Sequence, residues 1–169
     1  TAKAVARKLN FFYLDTGAMY RAFTLKYLQS VNIDAKEVPA NIDLALVKKL
    51  VKQTQIDLRQ ENAETFVYLD GQDVTLEIRT PRVSNFVSQV SAIPEVRKWL
   101  VRRQRKIAED KKVVCEGRDI GTVVFPEAQV KIFMQADIHV KAQRRQKELA
   151  EKNIPSNFDK VLENLKFRD

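Results

Sequence analysis

Apolar residues recur along this chain in two patterns, which predict helices alternating with short buried strands. Compact apolar runs predict strands at 11–14, 112–115 and 129–134, each leading into a polar stretch. Apolar positions three or four residues apart predict helices, and helices interleaved with buried strands are typical of an α/β fold. The predicted helices cover residues 1–9, 18–30, 41–51, 81–90, 94–108, 137–152 and 158–169, with a cap for the third at 39–41.

Residues 55–93 follow a different pattern from their surroundings. Three short segments there alternate or run apolar with β-branched residues, and Asp70-Gly71 between the second and third is typical of a hairpin turn. We therefore predict a small mixed α+β insertion at 55–93, carried by an α/β core composed of 1–54 and 94–136. Residues 137–169 are predicted to form a separate helical region.

The composition excludes several kinds of protein and site. No apolar run approaches the roughly 18 residues of a membrane span, and no signal peptide opens the sequence. Cys115 is the only cysteine and His139 the only histidine, which excludes an intramolecular disulfide and argues against a zinc site. We therefore expect a cytoplasmic protein that contacts no membrane and uses phosphate, carboxylate and arginine chemistry.

The charge balance is basic, with 30 Lys and Arg against 22 Asp and Glu, a formal charge of +8. A nucleic-acid-binding protein usually interleaves aromatic residues with its basic ones. The basic run at 102–106 contains no aromatic residue. We predict no nucleic-acid partner, and interpret the excess charge as solvated surface or as chemistry for a small polyanionic ligand.

Two polar bends that contain glycine follow predicted strands. The first, at 15–21, offers the Thr16 hydroxyl, backbone N–H groups at the start of a helix, and Arg21 one turn further on. These groups suit a phosphate, because helix amino ends and guanidinium groups both bind it. The same spacing allows an alternative, in which Asp15 or Thr16 caps the helix and Arg21 is solvated.

The second bend places Glu116 and Asp119 on either side of Gly117-Arg118. Two like charges in one loop are unfavourable unless something binds there. The Asp119 carboxylate can accept a hydrogen bond from the N4 amino group of cytosine and repel O4 of uracil, whereas arginine suits phosphate. The alternative is a solvated loop with a local Arg–Asp pair.

The stretches from Tyr13 to Arg21 and from Glu116 to Pro126 resemble bacterial cytidylate kinases, of the P-loop nucleoside monophosphate kinase family. Shorter matches in the same order lie at 77–80, 87–91 and 96–97. The resemblance implies a parallel-sheet P-loop kinase core, a CMP-binding insertion and a helical lid. It also implies a monomeric enzyme of pyrimidine nucleotide metabolism that transfers the γ-phosphoryl group of ATP to CMP or dCMP with Mg²⁺.

The resemblance further implies roles for individual residues, none of them a metal ligand. Arg21 and Arg118 match arginines that contact the acceptor phosphate, and both are expected to be catalytic. Thr16 matches a residue near the acceptor nucleotide. The residues matched to cytosine recognition are Ser88, Arg97 and Asp119.

Other matched positions are less direct. Glu116 is expected among the CMP-binding residues; it stands where many members have Asp, so its charge is kept on a longer side chain. Arg168 matches an arginine of the region that closes over the substrates. Arg144 and Arg145 belong to the predicted lid, where they either face ATP or form a solvated helix face.

The sequence also departs from the family. Nothing in it matches G-x-x-x-x-G-K-[ST], the loop that cradles phosphates, and the matches place Thr1 just after that loop. Residues 1–169 alone are therefore not expected to transfer phosphate. The alternatives left open are a kinase of the same fold that acts on UMP or shikimate, and a catalytically inactive nucleotide-binding module.

Overall fold

The residues that the computed structural model describes are 1–31, 39, 41–62, 64–151 and 156–168. Within the last range, side chains are not described for Asn164, Phe167 and Arg168. The chain divides into two compact units, Thr1–Ala128 and Gln129–Asp169.

The described elements confirm the predicted α/β class. Helices of the first unit are α1 (Ala2–Leu9), α2 (Thr16–Ser30), α3 (Leu44–Gln53), α4 (Pro81–Ser91) and α5 (Pro94–Ala108). Its strands are β1 (Phe12–Asp15), β2 (Ile56–Glu61), β3 (Glu64–Leu69), β4 (Gln72–Asp73) and β5 (Val113–Glu116). It also contains a 3-10 turn (Glu77–Arg79) and a π-helical turn (Ile120–Val124). The second unit contains α6 (Ile138–Glu151) and α7 (Phe158–Arg168).

The two predicted strands that precede the polar bends pair directly. β1 and β5 are parallel neighbours, with Phe12 opposite Val113 and Asp15 opposite Glu116. Parallel strands end at the same edge of a sheet, so the bend after β1 and the bend after β5 begin side by side. This edge is where open α/β sheets bind their ligands.

A separate antiparallel sheet in the order β2-β3-β4 confirms the predicted meander within 55–93. Its hairpin turn at Asp70-Gly71 has φ of +50° and +86°, left-handed conformations that favour glycine and are tolerated by Asp. The Asp70 carboxylate accepts a 2.7 Å hydrogen bond from the Gln55 backbone N–H. It also lies 2.7 Å from the Lys26 ammonium, which ties the turn to α2.

Helix α2 lies at the centre of the hydrophobic core. Its Tyr27 ring stacks on Phe86 of α4 with centroids 5.8 Å apart, and Phe23 packs against Trp99 of α5 at 5.3 Å. Apolar residues of β2, β3, α4 and α5 join α2 in one continuous cluster. Packing on both sides of α2 therefore fixes the position of the bend at its amino end.

The predicted helix cap at 39–41 is wrong, since α3 begins at Leu44. The Asp43 carboxylate accepts hydrogen bonds from the backbone N–H groups of Ala45 and Leu46, at 2.8 and 3.0 Å. A capping carboxylate satisfies N–H groups that have no partner within the helix, and so sets its first residue.

The predicted strand at 129–134 is also wrong. Among the described residues these positions form no strand, and their apolar side chains are exposed: Val130 (75%), Ile132 (80%), Phe133 (85%) and Met134 (64%). A strand requires a neighbour that completes its backbone hydrogen bonds. In the described part of the chain, β1 and β5 form a two-stranded sheet that does not include these residues.

The second unit is a pair of packed helices. The Asp137 carboxylate accepts a 2.8 Å hydrogen bond from the His139 backbone N–H, which confirms the predicted cap at the start of α6. The His139 ring stacks on Phe158 of α7, with centroids 6.5 Å apart. No helix in the described ranges has the length and apolar character needed to cross a bilayer.

Candidate functional site

A side-chain hydrogen bond joins the two polar bends. The Thr16 hydroxyl donates to the main-chain carbonyl oxygen of Glu116 at 2.8 Å. Thr16 is only 4% exposed, so this hydrogen bond is largely shielded from solvent. The groups that the sequence placed in two separate bends therefore belong to one edge of the parallel sheet.

Close packing between the bends requires glycine at position 117. A Cβ atom there would lie 2.3 Å from Thr16 Oγ1 and 2.7 Å from Ile120 Cδ1. Contacts under 3.0 Å essentially never occur for real Cβ atoms. The role of Gly117 is thus to let the second bend approach the start of α2.

The start of α2 confirms the capping alternative for Asp15. Its Oδ1 accepts a 2.9 Å hydrogen bond from the Ala18 backbone N–H. Its Oδ2 lies 3.8 Å from Nη2 of Arg79, whose side chain is 51% exposed. Sequence inspection did not single out Arg79, although it falls in one of the shorter matched segments.

Arg21 is not a solvated side chain. It is half-buried, and its Nη1 donates a 2.8 Å hydrogen bond to the hydroxyl of Ser84 on α4. Ser88 lies four residues further along α4, on the same helix face. The face of α4 that meets Arg21 thus carries two hydroxyl groups one turn apart.

Two residues predicted to read cytosine form an ion pair with each other. Arg97, in the first turn of α5, bonds through Nη2 to the Asp119 carboxylate of the second bend. Arg97 Nη1 also lies 3.5 Å from the main-chain carbonyl of Ser91. The Asp119 carboxylate is thus held by a residue 22 positions away in the chain, on helix α5.

Tyr20 of α2 lies beside this ion pair. Burial raises the pKa of its phenol, while the positive charge of Arg97 lowers it and the negative charge of Asp119 raises it. The phenol therefore stays protonated and can donate a hydrogen bond at the edge of the site. Tyr20 is recognised as part of the site only from its proximity to Arg97 and Asp119 in the structure. In the sequence it is one more aromatic residue in an apolar helix pattern, which carries no signal of function.

The Glu116 carboxylate interacts with two neighbouring groups, the Tyr13 hydroxyl and the Cys115 thiol. Burial, then a hydrogen bond with the Glu116 carboxylate, raises the pKa of the Tyr13 hydroxyl. Burial, reinforced by Asp15 and Glu116, raises the pKa of the Cys115 thiol to about 12. Cys115 is thus a thiol at neutral pH and does not supply a thiolate nucleophile.

The described side chains do not form a magnesium site of their own. No group of three or more His, Cys, Asp or Glu residues in the described ranges could hold a metal ion. The two carboxylates at the strand ends are engaged elsewhere, Asp15 as a helix cap and Glu116 by Tyr13. The sequence of residues 1–169 also contains no match to the glycine-rich phosphate-binding loop G-x-x-x-x-G-K-[ST].

Arg105 stabilises the turn after the second bend, a role that the sequence pattern did not predict. Its Nε donates to the carbonyl of Val124 and its Nη2 to the carbonyl of Val123, both at 2.8 Å. These bonds hold the π-helical turn that follows the second bend. The basic run at 102–106 therefore contains one arginine with a definite structural role.

Three predicted site residues, Arg144, Arg145 and Arg168, belong to the second unit. Arg144 is exposed on α6, and Arg145 pairs with Glu148 at 2.6 Å on the same helix. The side chain of Arg168 lies outside the described residues. Of the other predicted residues, Glu116 and Arg118 are exposed in the second bend, within the first unit.

Comparison with known proteins agrees with this geometry. A family model described as cytidylate kinase matches residues 1–169. The cytidylate kinase of Caldanaerobacter subterraneus is 48% identical over 168 residues, which cover 99% of this chain and 70% of the relative. That of Carboxydothermus hydrogenoformans is 44% identical over 168 residues, covering 99% and 72%. That of Chloroherpeton thalassium is 46% identical over 165 residues, covering 98% and 67%.

These matches confirm the resemblance that the two bends indicated, and they extend it from those bends to nearly every residue of the chain. The chain belongs to the cytidylate kinase family, whose members are phosphotransferase enzymes.

Proposed function

We propose that this protein transfers the γ-phosphoryl group of ATP to CMP or dCMP, giving CDP or dCDP. The observation that carries the proposal is the bond between Thr16 and Glu116, because it joins the two bends whose residues we assign to phosphate binding and base reading. We further propose that the enzyme works as a monomer in the cytoplasm, in pyrimidine nucleotide metabolism, without nucleic acid.

Base selection is assigned to Asp119. Its carboxylate accepts a hydrogen bond from the cytosine N4 amino group, whereas O4 of uracil would face it with like partial charge. Arg97 holds this carboxylate in place through the ion pair and bonds towards α4. Ser88, one turn after Ser84 on the same face of α4, supplies a hydroxyl that can hydrogen-bond to the same nucleoside.

Phosphate binding is assigned to Arg21 and Arg118. Transfer between two anionic phosphates depends on positioning and charge neutralisation more than on covalent chemistry. Fixed cations in a site shielded from water act more strongly than in solution. The attacking phosphate oxygen of CMP is already an anion, so the step needs no general base, and Mg²⁺ is assigned to the phosphates of ATP.

Residues outside the acceptor site receive roles from the family resemblance. We propose that 55–93 serves as the CMP-binding insertion and 137–169 as the lid region. Arg144 and Arg145 would then serve the ATP side, and Arg168 the closing region. These assignments are supported by the matched sequence positions alone.

The test is a coupled assay of ADP release on the protein expressed from its complete gene. CMP, dCMP, UMP and shikimate are compared as acceptors at matched concentrations. We expect turnover with CMP and dCMP and much lower kcat/KM with UMP. Equal kcat/KM for CMP and UMP, or turnover of shikimate alone, would reject the proposal, and no ADP release with any acceptor would favour an inactive binding module.

A further inference from the structure

Ser84 of α4 accepts a hydrogen bond from Arg21 Nη1 at 2.8 Å, between residues 63 positions apart. Its neighbours in the helix, Val83 and Phe86, are 1% and 0% exposed, and the Phe86 ring stacks on Tyr27 of α2. The hydroxyl therefore sits on a helix whose position is fixed by packing against α2. It is a fixed acceptor presented to the guanidinium of Arg21.

We propose that Ser84 is a positioning residue, which orients the Arg21 guanidinium towards the acceptor phosphate. The inference rests on the proposed function, since it assumes that Arg21 binds the phosphate of CMP. An arginine side chain loses much rotamer freedom when it binds, and a pre-set orientation removes part of that cost from the reaction. Correct orientation of charged groups is also where phosphoryl transfer gains its rate.

The chemistry of a hydroxyl suits this role better than a carboxylate would. A serine oxygen directs one N–H of the guanidinium without adding negative charge beside it. An aspartate at the same position would form an ion pair, as Asp119 does with Arg97, and would compete with the phosphate. The structure thus contains one arginine paired with the carboxylate assigned to base reading, and another that donates a hydrogen bond to a serine hydroxyl.

The test is a double-mutant cycle on kcat and KM for CMP, with Ser84→Ala, Arg21→Ala and the double variant. If Ser84 acts through Arg21, Ser84→Ala lowers kcat/KM about tenfold in the wild-type background and has almost no effect when Arg21 is absent. The ratio of kcat/KM for CMP to that for UMP stays unchanged, because the base-reading residues are untouched.

Three further variants separate positioning from simple stabilisation. Ser84→Thr keeps the hydroxyl and should restore kcat/KM to within about twofold of wild type. Ser84→Asp should raise KM for CMP by more than tenfold, because its carboxylate competes with the phosphate. Asn85→Ala, at the exposed neighbouring position of α4, is the matched control and should leave the kinetics unchanged.

The outcomes distinguish this inference from the proposed function. Additive losses in the cycle, or a Ser84→Ala enzyme with wild-type kinetics, would overturn the role of Ser84 while CMP phosphorylation stands. A Ser84→Thr enzyme as impaired as Ser84→Ala would do the same. A wild-type enzyme that does not phosphorylate CMP would overturn both.

Discussion

The Thr16 hydroxyl and the Glu116 carbonyl oxygen, 100 positions apart in the chain, are joined by a 2.8 Å hydrogen bond. The parallel pairing of β1 with β5 makes this possible, because Asp15 and Glu116 lie directly opposite each other. The bend after β1 and the bend after β5 are therefore joined at one edge of the parallel sheet.

Gly117→Ala tests the close packing of the two bends. The added methyl group would lie 2.3 Å from Thr16 Oγ1, so the bend must move, and we expect a loss of about 1–3 kcal/mol in the free energy of unfolding. Urea denaturation measures it, and CMP turnover should fall as well. Gly17→Ala is the control, because its Cβ would meet one side-chain atom at 3.3 Å. Equal stability of the two variants would contradict the packing argument.

Asp119→Ala tests base selection. Losing the carboxylate should reduce the ratio of kcat/KM for CMP to that for UMP by about tenfold or more, as expected for a hydrogen bond of ~1–3 kcal/mol to a base edge. The ratio is measured with both acceptors under the same conditions, with the exposed Glu127→Ala as control. A variant that is slower with both acceptors in equal measure would remove Asp119 from base selection.

Arg21→Ala tests phosphate binding. We expect KM for CMP to rise and kcat to fall, with kcat/KM lower by roughly 10–100-fold, because the charged group proposed to bind the phosphate is lost. Arg21→Lys should recover only part of the loss, since it keeps the charge without the planar fork. Arg102→Ala removes an exposed arginine of α5 and should leave steady-state kinetics at the wild-type level. Unchanged kinetics in Arg21→Ala would exclude it from the site.

Asp70→Asn tests the contact between the hairpin turn and α2 through its pH dependence. Burial alone would raise the pKa of Asp70, but the Gln55 N–H and Lys26 outweigh it and hold the pKa below the ordinary 3.8. The ionised carboxylate is thus favoured in the folded state, so its stabilisation is full well above pH 3.8 and is lost as pH falls below that value. We expect this pair, whose side chains are 30% and 33% exposed, to contribute about 0.2–1 kcal/mol.

Urea denaturation of wild type and Asp70→Asn at pH 7, 5, 4 and 3 checks this. The difference in unfolding free energy between them should be constant from pH 7 to 5 and shrink below pH 4. Glu127→Gln, at an exposed position, is the matched control. A difference that grew on acidification would reverse the expected sign.

The features that the sequence predicted correctly depend on interactions between residues close together in the chain. Turn chemistry identified the Asp70-Gly71 hairpin, proline at positions 81 and 94 marked two helix starts, and apolar runs located β1 and β5 to within one residue. The family resemblance then connected the two bends to one kind of chemistry. In each case the signal lay within a few residues of the feature that it predicted.

The sequence by itself determined the elements, the two bends and the family, because propensity, capping and residue type act over a few neighbouring positions. The tertiary structure decided the partners: Arg21 with Ser84, Arg97 with Asp119 and Arg105 with two main-chain carbonyls. It also left 129–134 outside any strand despite a favourable pattern. A side chain or a strand can form hydrogen bonds only with groups that lie within about 3 Å of it in the folded protein. Contacts between residues distant in sequence decide which groups those are.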